Sequence, residues 1–199
     1  YNPAKDKALF ENYDKKSIEV KLKNKEELQE MINQDKWDDI YKKYPVADGN
    51  FVYLPAGCLH AMGKGNVVYE IQQSTDVTYR FYDYHRKDKD GNERELHLKQ
   101  ATDCLSFDKD IDKNDVHPVV KVHENVKETI FISNDSFTVS QLLVIGKCQY
   151  KCDNYQLATV VKGSGKVDEY DVKVGDNFLI PTNTSIELDG QMMIMMTTK

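Results

Sequence analysis

The second half of this chain is a succession of short runs of β-branched and aromatic residues, and each run is bounded by turn residues. The runs cover residues 137–145, 156–161, 166–172, 177–180 and 192–197. Short strands at such even spacing predict a β-sandwich or a barrel. The methionine-rich stretch at 191–196 is expected to be a buried strand and not a copper site, because consecutive strand residues point to opposite faces of a sheet.

The stretch from Val46 to Arg80 predicts two strands with a ligand-bearing loop between them. The first strand is expected at 50–54, where Pro55 ends it, and the second at 66–71. The loop delivers the imidazole of His60, and neutral imidazole is the commonest metal ligand in proteins. A single histidine is nevertheless more often structural, because spacing to a second ligand is what makes a metal motif specific.

An internal repeat makes His60 more informative. The segment VADGNFVYLPAGCLH from Val46 aligns with VKVGDNFLIPTNTSI from Val172, and each residue of the second copy lies 126 positions after its counterpart. Gly49 falls on Gly175 and Pro55 on Pro181, whereas His60 falls on Ile186, which cannot bind a metal. Two such copies predict two similar β-barrels, of which only the first has kept a polar site.

Helical periodicity is confined to the first half of the chain. Asn24 and Glu27 form a plausible capping pair, and Leu28 begins an apolar stripe that predicts two short helices over 25–44. A further helix is expected over 95–105. The expected organisation is an upstream remnant (1–20), a helical insertion (21–45), the later part of a metal-binding barrel (46–107), a linker (108–120) and a metal-free barrel (121–199).

Composition narrows the partners and the compartment. The 27 basic and 33 acidic residues give a net charge of −6, which argues against nucleic acid as the main partner. The sequence contains no apolar run long enough to cross a membrane and no signal peptide, so we expect a cytoplasmic protein. The four cysteines are expected to be free thiols, because Cys148 and Cys152 would lie about 13 Å apart along one strand.

Three motifs carry a resemblance to a known family. They are F-x-Y-L-P-A-G-x-x-H-A-x-x-K-G from Phe51, then Y-E-x-Q-Q-x-x-D-x-T-Y-R-x-Y-D-Y from Tyr69, and R-E-L-H at 94–97. Together they resemble the type I mannose-6-phosphate isomerases in their short bacterial form. The resemblance extends over nearly the whole chain, including the second, metal-free barrel.

This resemblance implies a mainly β, cupin-like double barrel with a small helical insertion and one zinc ion in the first barrel. Such enzymes interconvert mannose 6-phosphate and fructose 6-phosphate, a small-molecule sugar-phosphate substrate. The resemblance implies that His60 is a zinc ligand and that Arg80 is catalytic. The family's other zinc ligands come from a region upstream of Tyr1, so we expect this chain to lack an N-terminal part and to hold one ligand of the set.

Four further residues are candidates for contact with the substrate. Glu70 and Asp76 are candidates for proton transfer or for binding sugar hydroxyls, and Lys64 and Lys99 for binding the phosphate. Simpler interpretations exist for three of them. Glu70 is inert if it faces outward, and lysines such as Lys64 and Lys99 are usually solvated. Arg80 could likewise pair with Asp76 or Asp83 on the surface.

Two competing interpretations of the whole chain remain open at this point. One is a non-catalytic cupin protein that binds sugar phosphates or regulates another protein without a metal. The other is a fragment in which the first barrel is incomplete. His85 and His97 are expected to be structural or surface residues.

Overall fold

A computed structural model describes residues 24–34, 36, 40, 45–62, 65–74, 77–83, 85–107 and 117–199. The chain divides into two compact units, Tyr1–Asn114 and Asp115–Lys199. We refer to them as the first and the second unit.

The described residues of the second unit form one antiparallel sheet of eight strands. The strands are β1 Val119–His123, β2 Val126–Ser133, β3 Thr138–Ile145, β4 Cys148–Cys152, β5 Gln156–Val167, β6 Tyr170–Lys173, β7 Asn177–Ile180 and β8 Thr184–Thr198. Their order is β1-β2-β3-β8-β5-β6, with β4 added beside β8 and β7 beside β5. The sheet is not closed on itself, so the mainly β class is confirmed while the barrel expected here is open.

The two longest strands, β5 and β8, run side by side and connect all the others. Three glycines lie where the two backbones approach closely. A side chain at Gly163 or Gly165 would overlap the backbone carbonyl of Gln191 or Asp189. At Gly190 an added Cβ would lie 2.6 Å from the Cα of Gly165. Gly163 also has a φ of +73°, which L-residues rarely adopt. Close approach of the two backbones therefore requires glycine at these positions.

The hydrophobic core of the second unit follows the alternation of β3 and β8. On β3, Leu142 and Val144 are completely buried while Leu143 and Ile145 are exposed, which is the period of two expected for a strand with one covered face. Burying each such side chain contributes roughly 1.5–3 kcal/mol. The methionine-rich stretch lies in β8, and Met192 and Met196 are buried, as the sequence predicted.

Several strand boundaries differ from the sequence prediction. The run at 166–172 is not one strand: β5 continues to Val167, and the chain turns at Asp168, where φ is +52°, before β6 begins. Strand β8 begins at Thr184, eight residues before the predicted start. Strands β1, β2 and β4 were not predicted; all five residues of β1 are exposed, so β1 shows no alternation to detect.

The first unit contains two described helices, α1 Lys25–Asn33 and α2 Leu98–Cys104. The predicted cap of α1 is confirmed, because Asn24 Oδ1 accepts a hydrogen bond from the Glu27 N–H at 2.9 Å. Leu28 is fully buried and forms a small core with Ile40, Phe81 and Ala101. Most of the second helix predicted within 25–44 lies outside the described residues.

The two strands predicted at 50–54 and 66–71 are not formed in the described part of the first unit. Regular pairing there is limited to one isolated bridge, between Lys87 and Glu93. The side-chain pattern of a strand is a local property, but a strand also needs a partner along its whole length. The prediction was therefore wrong for these residues because the pattern was present without a partner strand.

None of the helices in the described ranges combines the length and the apolar character that a membrane span needs.

Candidate functional site

The segment that carries His60 is built from two tight turns. In the first turn, Asn50 N–H donates to the Ala47 carbonyl at 3.1 Å, and Asn50 Oδ1 accepts from the Ala47 N–H at 2.7 Å. In the second, Cys58 N–H donates to the Pro55 carbonyl at 3.1 Å, and Gly57 adopts a φ of +85°. These bonds use short-range donors and acceptors only, so the sequence alone can specify them.

The second of these turns is held against the end of α2. Ser106 N–H donates to the Gly57 carbonyl at 3.0 Å, and a Cβ at Gly57 would lie 2.9 Å from the Cys104 carbonyl oxygen. Gly57 is thus required both for its backbone conformation and for this close approach. The loop that bears His60 is anchored and does not project as a free end.

The hydrogen bond made by His60 determines which ring nitrogen is available. Nδ1 lies 3.0 Å from the Cys58 carbonyl oxygen, and a carbonyl can only accept, so Nδ1 carries the proton. Neutral His60 therefore keeps its lone pair on Nε2, and the side chain is exposed. A metal-bound histidine usually donates its second N–H to a carbonyl or a carboxylate in this way.

Taken alone, the described residues do not fit a zinc centre. A structural or catalytic zinc site needs three or four protein ligands, and the described ranges contain no group of three His, Cys, Asp or Glu residues that could hold an ion. His60 has the geometry of one ligand, and the remaining positions of such a site are not filled from the described part of the chain.

Arg80 is held by the segment that contains the R-E-L-H motif. Its Nη1 donates to the Glu95 carbonyl at 2.9 Å, and its side chain is half-buried. Within the described ranges no carboxylate pairs with the Arg80 guanidinium. A guanidinium has five N–H donors and stays protonated, so most of its donors remain available for an anionic ligand.

Asp83 is paired with a different arginine. Its two carboxylate oxygens accept from Nε and Nη2 of Arg94, the first at 2.6 Å, and the Asp83 residue is only 8% exposed. The Arg94 hydrogen bond lowers the pKa of Asp83, against the opposing effect of burial. Asp83 therefore stays ionised and does not compete for Arg80, so the surface pair Arg80–Asp83 considered from the sequence does not form.

The sequence did not predict this ion pair. Asp83 and Arg94 are separated by a charged turn, and no fixed spacing links a carboxylate to a guanidinium across such a turn. The available signal was that Asp83 follows the apolar pair Phe81-Tyr82 within the D-x-T-Y-R-x-Y-D-Y motif. A carboxylate placed among buried neighbours requires a partner.

The other candidates are not brought together in the described structure. Glu70 is exposed, and Lys99 is exposed on α2. Lys64 and Asp76 lie outside the described residues. No hydrogen bond or ion pair among the described residues joins His60, Glu70 or Arg80 to one another.

Comparison with known proteins gives a consistent result. A family model described as the cupin domain of mannose-6-phosphate isomerase matches residues 127–199. A mannose-6-phosphate isomerase of Streptococcus mutans is 36% identical over 87% of this chain and 56% of its own length. Mannose-6-phosphate isomerase ManA of Bacillus subtilis is 36% identical over 79% of this chain and 51% of its own length.

A solved structure shows the same relationship. The crystal structure of the mannose 6-phosphate isomerase from Bacillus subtilis matches with a TM-score of 0.82 at 28% identity, over 88% of this chain and 57% of that chain. The cupin-like fold class predicted from the sequence is thereby confirmed. This chain spans about half the length of the curated relatives that it matches.

Proposed function

The chain belongs to the mannose-6-phosphate isomerase family, and from this membership we propose that it takes part in the interconversion of D-mannose 6-phosphate and D-fructose 6-phosphate. The observation that carries the proposal is the state of Arg80, which lies in the D-x-T-Y-R motif. Its guanidinium is oriented by the Glu95 carbonyl and has no carboxylate partner in the described ranges. The neighbouring Asp83 carboxylate is hydrogen-bonded to Arg94 and acts on Arg80 only through its charge, so the half-buried Arg80 guanidinium keeps N–H donors for an anion that comes from outside the protein.

The proposed reaction needs that cation. Aldose–ketose isomerisation removes a proton from C2 of the sugar and returns a proton to C1 through an enediol, so negative charge develops on the sugar oxygens. Preorganised N–H donors stabilise such an oxyanion. Arg80 cannot act as the base, because its guanidinium is not deprotonated in proteins. We therefore assign it to the oxyanion or to the substrate phosphate.

His60 is proposed as one ligand of a single zinc ion. The support is its tautomer, since the Cys58 carbonyl holds the proton on Nδ1 and leaves Nε2 to coordinate. The remaining ligands are proposed to come from the part of the family's polypeptide that this chain does not span. A zinc ion bound there would polarise the sugar oxygens as a Lewis acid.

Residues 46–107 are proposed to be the later part of a metal-binding cupin barrel. Support comes from four exposed apolar side chains in the segments where strands were predicted: Val52 (44%), Leu54 (37%), Val67 (75%) and Val68 (56%). Apolar side chains at strand spacing lower the free energy of folding when a partner strand covers them. The other divisions expected from the sequence, 1–20, 21–45, 108–120 and 121–199, remain proposals.

The remaining roles are assigned by residue chemistry. Glu70 and Asp76 are proposed for proton transfer or for contact with sugar hydroxyls, and Lys64 and Lys99 for the phosphate. The described cysteines form no disulfide with one another, which supports the proposal of a reducing compartment, the cytoplasm.

The experiment compares two proteins: this chain, and this chain fused to the segment of the Streptococcus mutans relative that it does not match. Each is dialysed, its zinc content is measured, and it is assayed for conversion of mannose 6-phosphate to fructose 6-phosphate. We expect zinc retention and turnover in the fusion and only weak zinc binding by the chain alone, because one histidine cannot fill a four-coordinate site.

Matched variants separate the two proposed roles in the fusion. His60→Ala should lose both zinc and turnover, while Arg80→Ala should lose turnover and keep zinc. The controls are His123→Ala, an exposed histidine of β1, and Arg86→Ala, an exposed arginine six residues after Arg80. Absence of turnover in every form, with mannose 6-phosphate still bound, would favour the non-catalytic sugar-phosphate-binding protein instead.

A further inference from the structure

Arg80 and His97 are joined by a reciprocal pair of hydrogen bonds. The Arg80 backbone N–H donates to His97 Nδ1 at 3.0 Å, and the His97 backbone N–H donates to the Arg80 carbonyl at 2.7 Å. Two residues before His97, the Glu95 carbonyl accepts a hydrogen bond from the Arg80 side chain. The backbone and the guanidinium of Arg80 are thus both held by the segment that ends at His97.

The bond to Nδ1 specifies the protonation state of the His97 ring. A backbone amide can only donate, so Nδ1 must be the acceptor and carry no proton, and the proton of the neutral ring lies on Nε2. An imidazolium has no acceptor and cannot make this bond. This tautomer is the opposite of that of His60, where Nδ1 is the donor.

A second connection fixes the alignment of the same two segments. Asp83 lies three residues after Arg80, and its partner Arg94 lies three residues before His97. The two segments therefore run antiparallel with one alignment, held at one end by the ion pair between the buried Asp83 and the exposed Arg94 and at the other end by the His97 bonds. His97 is half-buried, with the edge of the Tyr79 ring against it at 6.3 Å between ring centroids.

We propose that His97 is a positioning residue, and that its unprotonated Nδ1 holds the Arg80 backbone so that the guanidinium stays anchored on the Glu95 carbonyl and directed at the anionic substrate. This inference rests on the function proposed above for Arg80. His97 does not touch the substrate; it acts through Arg80. The sequence had indicated only a structural or surface histidine, because the partner of its ring is a backbone group 17 residues away.

The first test needs no substitution and no activity. In the chain labelled with ¹⁵N at histidine, correlation of the ring nitrogens with the ring C–H protons identifies which nitrogen is protonated at neutral pH. We expect an unprotonated Nδ1 and a protonated Nε2 for His97, and the reverse for His60. A proton on Nδ1 of His97 would overturn the inference.

The second test uses amide side chains that mimic one ring nitrogen each. In His97→Asn the side-chain oxygen can occupy the place of Nδ1, whereas in His97→Gln it reaches the place of Nε2. In whichever form of the protein turns over mannose 6-phosphate, His97→Gln should lower kcat/KM by about 100-fold, the cost of a small misplacement of a catalytic group. His97→Asn should restore most of it, and equal losses in the two variants would overturn the proposal.

The failure of this inference is distinguishable from failure of the proposed function. If the wild type does not turn over, or Arg80→Ala remains fully active, then the assignment of Arg80 fails whatever His97 does. If the wild type is active and Arg80→Ala is not, the Asn and Gln variants alone decide the role of His97. Thermal unfolding of each variant identifies any loss that comes from unfolding.

Discussion

The two copies of the internal repeat form the same turns but not the same strands. The Ala47–Asn50 turn of the first copy is reproduced in the second by Lys173 and Asp176, with the side-chain oxygen accepting at 2.7 Å in one and 2.8 Å in the other. The backbone bond that closes the turn is 3.1 Å long in the first copy and 3.0 Å in the second.

The left-handed positions of the two copies also coincide. Gly49 and Gly175 have φ values of +84° and +94°, and Gly57 and Asn183 have φ values of +85° and +58°. Asparagine tolerates this region better than most residues. The first turn and both left-handed positions of the repeat are therefore preserved across 126 positions.

The difference between the copies begins where a partner is needed. In the second unit, residues 177–180 form β7 because they pair with β5, from Asn177 opposite Thr159 to Ile180 opposite Gln156. The equivalent residues of the first unit form no strand in the described structure. Turns depend on neighbours in the sequence, whereas strands depend on residues far away, and the comparison of the copies separates the two.

The largest loss of stability is expected when a glycine between β5 and β8 of the second unit is replaced. Gly163→Ala would drive a Cβ into the Gln191 carbonyl and should lower the free energy of unfolding by about 4 kcal/mol or more, since backbone strain and overlap act together. The measurement is urea unfolding followed by far-UV circular dichroism. A loss no greater than that of Gly175→Ala, whose added Cβ meets no atom within 4 Å, would contradict the close approach of β5 and β8.

Exchanging the residue types at the last position of the repeat, His60 and Ile186, tests the difference in burial between the two copies. Ile186 is 5% exposed, so Ile186→His places a polar ring among apolar side chains and should cost about 2–3 kcal/mol. His60→Ile replaces an exposed side chain and should change the stability by less than about 0.5 kcal/mol. Denaturant midpoints of the two variants check this, and similar losses would contradict the difference in burial.

The equivalence of the two turns can be tested with alanine at the matched glycines. Gly49→Ala and Gly175→Ala both force a left-handed backbone on a residue with a Cβ, and neither new methyl group meets a neighbour. Each should cost about 1–2 kcal/mol. The unfolding of the first unit is followed through Trp37, the single tryptophan, and that of the second by circular dichroism. A cost in only one copy would show that the turns are not equivalent.

The smallest expected effect is on how the free energy of unfolding depends on pH, which should differ between the two units. The Arg94 hydrogen bond lowers the pKa of Asp83, so this pair stabilises the first unit above the unfolded value of about 4 and loses that contribution as the pH falls through the folded pKa. Asp83→Asn should flatten the acid limb of the stability profile, measured by urea unfolding between neutral pH and pH 3.

An ion pair in the second unit gives a pH dependence of stability with the opposite sign. Glu187, with Oε1 2.7 Å from Lys147 Nζ, raises the pKa of that lysine. The contribution of Lys147 is therefore complete below the unfolded lysine pKa and is lost as the pH rises through the folded value. Lys147→Met should remove this loss from the alkaline limb, and an alkaline limb that the substitution leaves unchanged would contradict the assignment, as an acid limb unchanged in Asp83→Asn would contradict that of Asp83.

What could be predicted from the sequence follows the same division. The cap at Asn24, the apolar face of α1, the buried methionines of β8 and both turns of the repeat depend on residues a few positions apart, and all are present. The strands at 50–54 and 66–71 and the exact extent of β5 and β8 depend on distant partners. Local patterns therefore predicted caps, turns and buried faces correctly, but predicted strands only in part and with the wrong extents.

The same dependence on distant partners limited what could be predicted of the candidate site. The motifs selected His60 and Arg80, and each is held by short hydrogen bonds in the structure. What holds Arg80 was not predictable, because Glu95 binds it through a backbone carbonyl and the His97 ring binds the Arg80 backbone N–H, and no side-chain motif records backbone groups. Asp83 and Arg94 escaped notice because their pairing depends on how two irregular segments align.

The central position of β8 also bears on how the protein is made. Strands β3, β4 and β5 all pair with β8, yet they precede it in the chain and leave the ribosome first. Until β8 emerges, three strands have edges without a common partner, and exposed strand edges favour aggregation during synthesis. Folding of this unit must therefore wait until β8 has been synthesised, and a nascent chain halted before Thr184 is a form that needs a chaperone.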